Sequence, residues 1–117
     1  MLSSHVMPDA DTKLFSNEKK AAFIWYHADA QLEEVLQVWV RQMGQTLNIP
    51  ARLMVRHQPE RTTFMEIYQA SGSIDLQDMV EGIERDAANQ AWFAQLHSPR
   101  KAEIFVEAHA KASPLAL

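Results

Sequence analysis

Ala51-Arg52-Leu53-Met54-Val55-Arg56-His57-Gln58, then Pro59-Glu60-Arg61, then Thr62-Thr63-Phe64-Met65-Glu66-Ile67-Tyr68-Gln69-Ala70, is the stretch that decides the fold. In the first segment Arg52, Met54 and Arg56 alternate with Leu53 and Val55, the two-residue period of a strand. Pro59 fixes its own φ and suits a turn. The third segment is rich in β-formers: Thr62, Thr63, Phe64, Ile67 and Tyr68. So short a connection between two strands makes a hairpin.

Upstream, Asn48-Ile49-Pro50 closes a helical pattern, because Pro50 disfavours helical geometry in the residue before it. Leu32, Val35, Leu36, Trp39, Val40, Met43 and Leu47 recur at helical spacing, and Asp29 stands where an N-cap belongs. Ahead of that, Ala21 to His27 is a short apolar run that reads as a buried strand. Downstream, Ser71-Gly72-Ser73 breaks the chain and Ser73 is placed to cap a second helix. That helix carries Leu76, Met79, Val80, Ile83 and Ala87 on one face and ends near Asn89. Gln90 to His97 reads as a separate helical turn anchored by Trp92, Phe93 and Leu96. After Ser98-Pro99, Arg100 to His109 reads as a last strand centred on Ile104, Phe105 and Val106.

The order β-α-β-β-α-β is that of an α+β ferredoxin-like domain, a four-stranded antiparallel sheet with two main helices on one face. Right-handed crossovers place the first and third strands centrally and the other two at the edges.

A chain of 117 residues makes one domain with a core of its own. We expect residues 1–19 to form a flexible extension, 20–109 the domain and 110–117 a flexible tail. Absence of cysteine excludes disulfides, thiolate metal sites and a cysteine nucleophile. A net charge of −4 argues against nucleic-acid binding. Met1 to Lys20 lacks the basic start and apolar run of a signal peptide, and no stretch approaches the ~20 apolar residues of a membrane span. The expected location is cytoplasmic, with no membrane partner.

Alternation assigns the sheet's two faces. A plain aliphatic set of Ala22, Ile24, Leu53, Val55, Met65, Ile67, Ile104 and Val106 is expected under the helices. The opposite face then carries Phe23, Trp25, His27, Arg52, Met54, Arg56, Phe64, Glu66, Tyr68, Glu103, Phe105 and Glu107. A sheet face left to water should be polar, so aromatics interleaved with charge mark a surface that meets something. A second copy of the chain or a small ligand fits best. Single-stranded RNA fits poorly, because Thr63 to Tyr68 lacks the glycines and basic start of the RNA-binding strand.

At these residues the chain resembles a known family. Thr63-Phe64-Met65-Glu66-Ile67-Tyr68 is similar to the Thr-Trp-Met-Glu-Val-Tyr motif of a family of short proteobacterial proteins, domain of unknown function 4936. Ile24-Trp25-Tyr26-His27 resembles its opening Val-Tyr-Tyr-Arg strand, and Pro99-Arg100-Lys101-Ala102-Glu103-Ile104-Phe105 its closing Pro-Arg-His-Val-Glu-Val-Phe. His27 stands where the family has arginine and Phe64 where it has tryptophan. The resemblance covers about residues 21–107. It implies a ferredoxin-like fold of the dimeric α/β barrel type, and it brings no established activity. The wider barrel group includes cofactor-free monooxygenases and haem-degrading enzymes, an analogy of fold alone.

The ligand-binding candidates are therefore Trp25, His27, Arg52, Arg56, Phe64, Glu66, Tyr68 and Phe105. Arg52 and Arg56 can clamp a carboxylate or phosphate, because guanidinium forks bind such oxygens bidentately; the plainer reading pairs them with Glu66 across the hairpin. Glu66 and His57 are weak candidates for acid–base catalysis. Glu103 and Glu107, flanking Phe105, read as a solvated edge. His5, His27, His57, His97 and His109 include no pair at metal-ligand helical spacing, so no metal or cofactor is expected. Tyr26 alternates onto the helix side, where its hydroxyl needs a partner. The chain is thus expected to be a homodimer binding a small organic ligand on its aromatic sheet face. The alternatives are a cofactor-independent monooxygenase-like enzyme and a purely structural dimer face.

Overall fold

The structure is a computed structural model that describes residues 19–108. Most of the expected extension, the expected tail, and His5 and His109 lie outside the described residues. In chain order the elements are β1 (Lys19–Ala28), a 3-10 turn (Ala30–Leu32), α1 (Glu33–Leu47), β2 (Ala51–Gln58), β3 (Arg61–Ser71), α2 (Leu76–Ala88), a second 3-10 turn (Ala91–Gln95) and β4 (Lys101–Val106). The sheet order is β2-β3-β1-β4, and each neighbouring pair is antiparallel. This is the α+β ferredoxin-like arrangement, with β3 and β1 central.

Local chemistry sets the boundaries. The Asp29 carboxylate accepts from the Gln31 backbone N–H, which starts the turn leading into α1. Asn48 ends α1 in the left-handed conformation at φ 58°, and its N–H returns to the last helical carbonyls. The cap of α2 is Asp75, whose side chain accepts from Asp78 N–H. Ser73, the expected cap, falls two residues early, within the turn that follows β3. β1 begins already at Lys19, inside the expected extension, and β4 ends at Val106 rather than His109.

The core joins Ala22, Ile24, Tyr26, Phe64 and Tyr68 of the sheet to Leu36, Trp39, Val40 and Met43 of α1 and Leu76, Val80, Ile83 and Ala87 of α2. Trp92 of the second 3-10 turn packs edge-on against Trp39, with centroids 5.1 Å apart. Trp39 also ties the helices together, since its indole N–H donates to Asp86 at 2.8 Å.

The expected faces hold for β1, β2 and β4 and invert for β3. Register pairs Ala22 with Tyr68, Ile24 with Glu66 and Tyr26 with Phe64. Residues directly opposed in a ladder point to the same side. Phe64, Glu66 and Tyr68 therefore lie under the helices, each fully buried. Met65 and Ile67 take the open face, opposite Trp25 and Phe23. Burying two aromatic rings removes more apolar surface from water than burying Met65 and Ile67 would, and Glu66 finds a charged partner inside. Ile104 and Val106 lie on the helix side as expected, but both stay exposed.

Candidate functional site

Two places collect the polar and aromatic residues, one on each side of the sheet. Inside, Glu66 is the hub. Arg100 Nη1 and Nη2 donate to its two carboxylate oxygens at 2.7 and 3.0 Å. The hydroxyls of Tyr26 and Tyr68 donate to the same oxygens at 2.6 and 2.8 Å. Arg100 Nε donates to Glu84 on α2 at 2.9 Å. The guanidinium lies against the Tyr26 ring, 4.9 Å from its centroid, with Trp39 and Trp92 around it. Burial, followed by the Glu66 carboxylate, pushes the ionisation of both tyrosines far above its ordinary range.

A carboxylate with two donors on each oxygen has no lone pair left for a substrate proton. Glu66 is also sealed from solvent. It is a structural centre, and the geometry removes it from the open face where sequence reasoning placed it. Arg100, which supplies the partner, was not among the residues singled out. Its signal was parity: Ile104 faces inward, so Ala102 and Arg100 do too, and an inward arginine demands an inward acid.

The open face is built in rows across the strands. One row runs Met54, Met65, Trp25, Lys101. The next runs Arg52, Ile67, Phe23, Glu103. Beyond the first row lie Arg56, Thr63 and His27. Phe23 meets Phe105 edge-on at 5.6 Å, and the Lys101 ammonium stands 5.5 Å from the Trp25 ring centroid. A groove of about 370 Å³ opens here, lined by Trp25, Met54, Val55, Arg56, Thr63 and Met65. Five candidates, Trp25, His27, Arg52, Arg56 and Phe105, thus share the open face, and Phe64, Glu66 and Tyr68 leave it. Met54, Met65 and Ile67 keep the face apolar in their place.

His27 Nδ1 sits 3.0 Å from Thr63 Oγ1, and its ring packs edge-on to Trp25. Partial burial of the imidazole, then the positive charges of Arg61, Arg56, His97 and Lys101, lower its affinity for a proton below the ordinary value. His57 lies elsewhere. Its Nε2 is 3.3 Å from Glu33 at the start of α1, on the helix side of the β2 edge. It belongs neither to the groove nor to the Glu66 cluster. Among the described residues no group of three or more His, Asp or Glu could hold a metal, and no helix is long and apolar enough to cross a membrane.

Neither the family models nor the curated proteins include a match to this chain.

Proposed function

We propose that the protein is a homodimer closed face to face through the open side of its sheet, and that it holds a small organic molecule in the groove beside Trp25. One observation carries this reading. The open face bears a continuous apolar band, Met54, Met65, Trp25, Ile67, Phe23 and Phe105, that no helix among the described residues covers; Met54 and Phe105 are more than half exposed. Monomeric surfaces rarely leave such a band to water.

Size and charge fit a second copy. Four strands at ~4.8 Å spacing and about seven residues at ~3.3 Å give a footprint of roughly 450 Å². Side-chain relief raises this to about 600–800 Å² per partner, within the range of stable interfaces. The β2 edge carries Arg52 and Arg56, and the β4 edge carries Glu103. A two-fold axis parallel to the strands lays β2 over the partner's β4 and β3 over the partner's β1. Arg52 then meets the partner's Glu103, since the two occupy one row, and Ile67 meets the partner's Phe23. Sheets packed this way keep their strands within ~30° of alignment. The groove, in the range of small-molecule sites, becomes enclosed.

Native mass spectrometry of protein purified without dialysis tests this. A dimer carrying extra mass is the expected result, with Met65→Lys shifting it to monomer. A monomer at every concentration overturns the dimer, and a dimer without extra mass makes the face a sealed interface with no ligand.

A further inference from the structure

Arg52, Arg56 and Arg61 share the open face of the β2–β3 hairpin, and their obvious internal counter-charge is missing. Glu66, a carboxylate of the same hairpin, lies on the opposite face and is already filled by Arg100, Tyr26 and Tyr68. Among the described residues, no carboxylate lies within 4.0 Å of Arg52, Arg56, Arg61 or Lys101. All four side chains belong to exposed residues. Scattered surface arginines need no explanation. Here Arg56 lines an apolar groove with a hydroxyl, Thr63, beside it.

We infer that the groove takes a flat, largely apolar organic carboxylate, with its acid group between Arg56 and His27 and its body against Trp25, Met54 and Met65. This rests on the reading of the groove as a ligand site and names the class of ligand. The guanidinium fork matches a carboxylate bidentately, and Arg56 has both edges of its fork free of acid partners. Trp25 and the two methionines offer an aromatic edge and adaptable thioethers, surfaces suited to a ring system. The lining holds one guanidinium and one hydroxyl, enough for a single negative charge. A ligand headed by several phosphates would bring more charge than these groups neutralise.

The field at His27 supports the same assignment. After burial, the groups that weigh most against a proton on this imidazole are Arg61 on β3, Arg56 on β2, His97 after the second 3-10 turn and Lys101 on β4. A carboxylate arriving beside it reverses that field and raises the proton affinity of the ring.

The test uses 2-naphthoate beside its neutral isostere 2-naphthamide, with binding followed by calorimetry and by NMR titration of the His27 ring. The acid should bind at least tenfold more tightly than the amide, and should move the His27 titration upward. Arg56→Gln should abolish the preference for the acid, and Arg56→Lys, which keeps the charge without the fork, should recover part of it. Equal affinity for acid and amide at the groove overturns the carboxylate and leaves the ligand site standing. So does a retained neutral molecule in the native mass spectrum. Preference for the acid that survives Arg56→Gln overturns the placement of the head group. Failure of both probes to bind, together with a dimer free of extra mass, overturns this inference and the ligand site with it.

Discussion

Arg100 and Glu66 meet end to end through two hydrogen bonds of 2.7 and 3.0 Å, with the side chains 3% and 0% exposed. Two charges this deep cost desolvation energy, and only their mutual attraction and the surrounding donors offset it. Removing one partner leaves the other uncompensated. Glu66→Gln and Arg100→Met should each destabilise the fold by about 3–5 kcal/mol, read from urea unfolding. The double variant Glu66→Gln/Arg100→Met should cost less than the sum of the two, because the contact that each single variant breaks is lost only once. Additive losses would show that the two groups act independently and that the cluster is not organised around their contact.

The same cluster predicts an alkaline limit. The chain has two tyrosines, and both donate to Glu66. Burial first, and then the carboxylate, raise both folded-state values far above the ~10 of an exposed tyrosine. In the unfolded chain the hydroxyls ionise near ~10. Their contribution to stability is therefore complete below that pH and falls as pH climbs above it, by about 1.4 kcal/mol per unit for each tyrosine. Tyrosinate absorbance should show no step near ~10 in the folded protein and should rise only with loss of near-ultraviolet dichroism. An ordinary titration step before unfolding would place at least one hydroxyl in water.

Most of the architecture was legible because it rests on local chemistry. The Leu36, Trp39, Val40, Met43 stripe, the Asp29 cap, the Pro59-Glu60 turn and the break at Ser71-Gly72 each act over a few residues. Parity along β3 was not legible locally. Thr63 to Tyr68 alternates aromatic and charged residues with aliphatic ones, so either face could be the buried one. The choice was made by Arg100, far along the chain, which makes an inward Glu66 affordable. Aliphatic Met65 and Ile67 looked like core by type, whereas register with β1 sends them outward. Trp25, His27, Arg52, Arg56 and Phe105 stay on the open face because they sit on strands whose parity was read correctly.

The two glycines within helices should respond oppositely to alanine. A Cβ on Gly44 would stand 2.8 Å from Ala51 Cβ and 3.0 Å from the Ile49 carbonyl oxygen. Both are fixed by backbone where α1 turns directly into β2, so neither can swing aside. The overlap outweighs the gain in helix propensity, and Gly44→Ala should destabilise by about 1–3 kcal/mol. A Cβ on Gly82 finds only Arg85 Nη2 at 3.8 Å, the end of a flexible side chain. Gly82→Ala should stabilise by about 0.5–1 kcal/mol, since it removes backbone freedom from the unfolded chain. Urea midpoints moving in opposite directions would confirm the contrast; a neutral Gly44→Ala would mean that the α1–β2 junction yields.

Arg52 and Glu103 lie in one row of the open face, at opposite edges of the sheet. Charge reversal at these positions tests the proposed axis. With the two-fold parallel to the strands, each Arg52 faces the partner's Glu103, and symmetry makes the contact twice. Attraction between such rim charges is modest, whereas like charges set against each other cost several kcal/mol, so repulsion gives the clearer signal. Arg52→Glu should raise the dimer dissociation constant at least tenfold, Glu103→Arg should do the same, and the double reversal should restore it. Sedimentation velocity across a dilution series reads all three. An axis across the strands along the Met54 row would instead lay β2 over the partner's β2 and bring Arg52 against the partner's Arg56. Arg52→Glu would then relieve repulsion and tighten the dimer. The sign of that one shift therefore chooses between the two ways of closing the face, and no shift at either position would place the interface away from these edges.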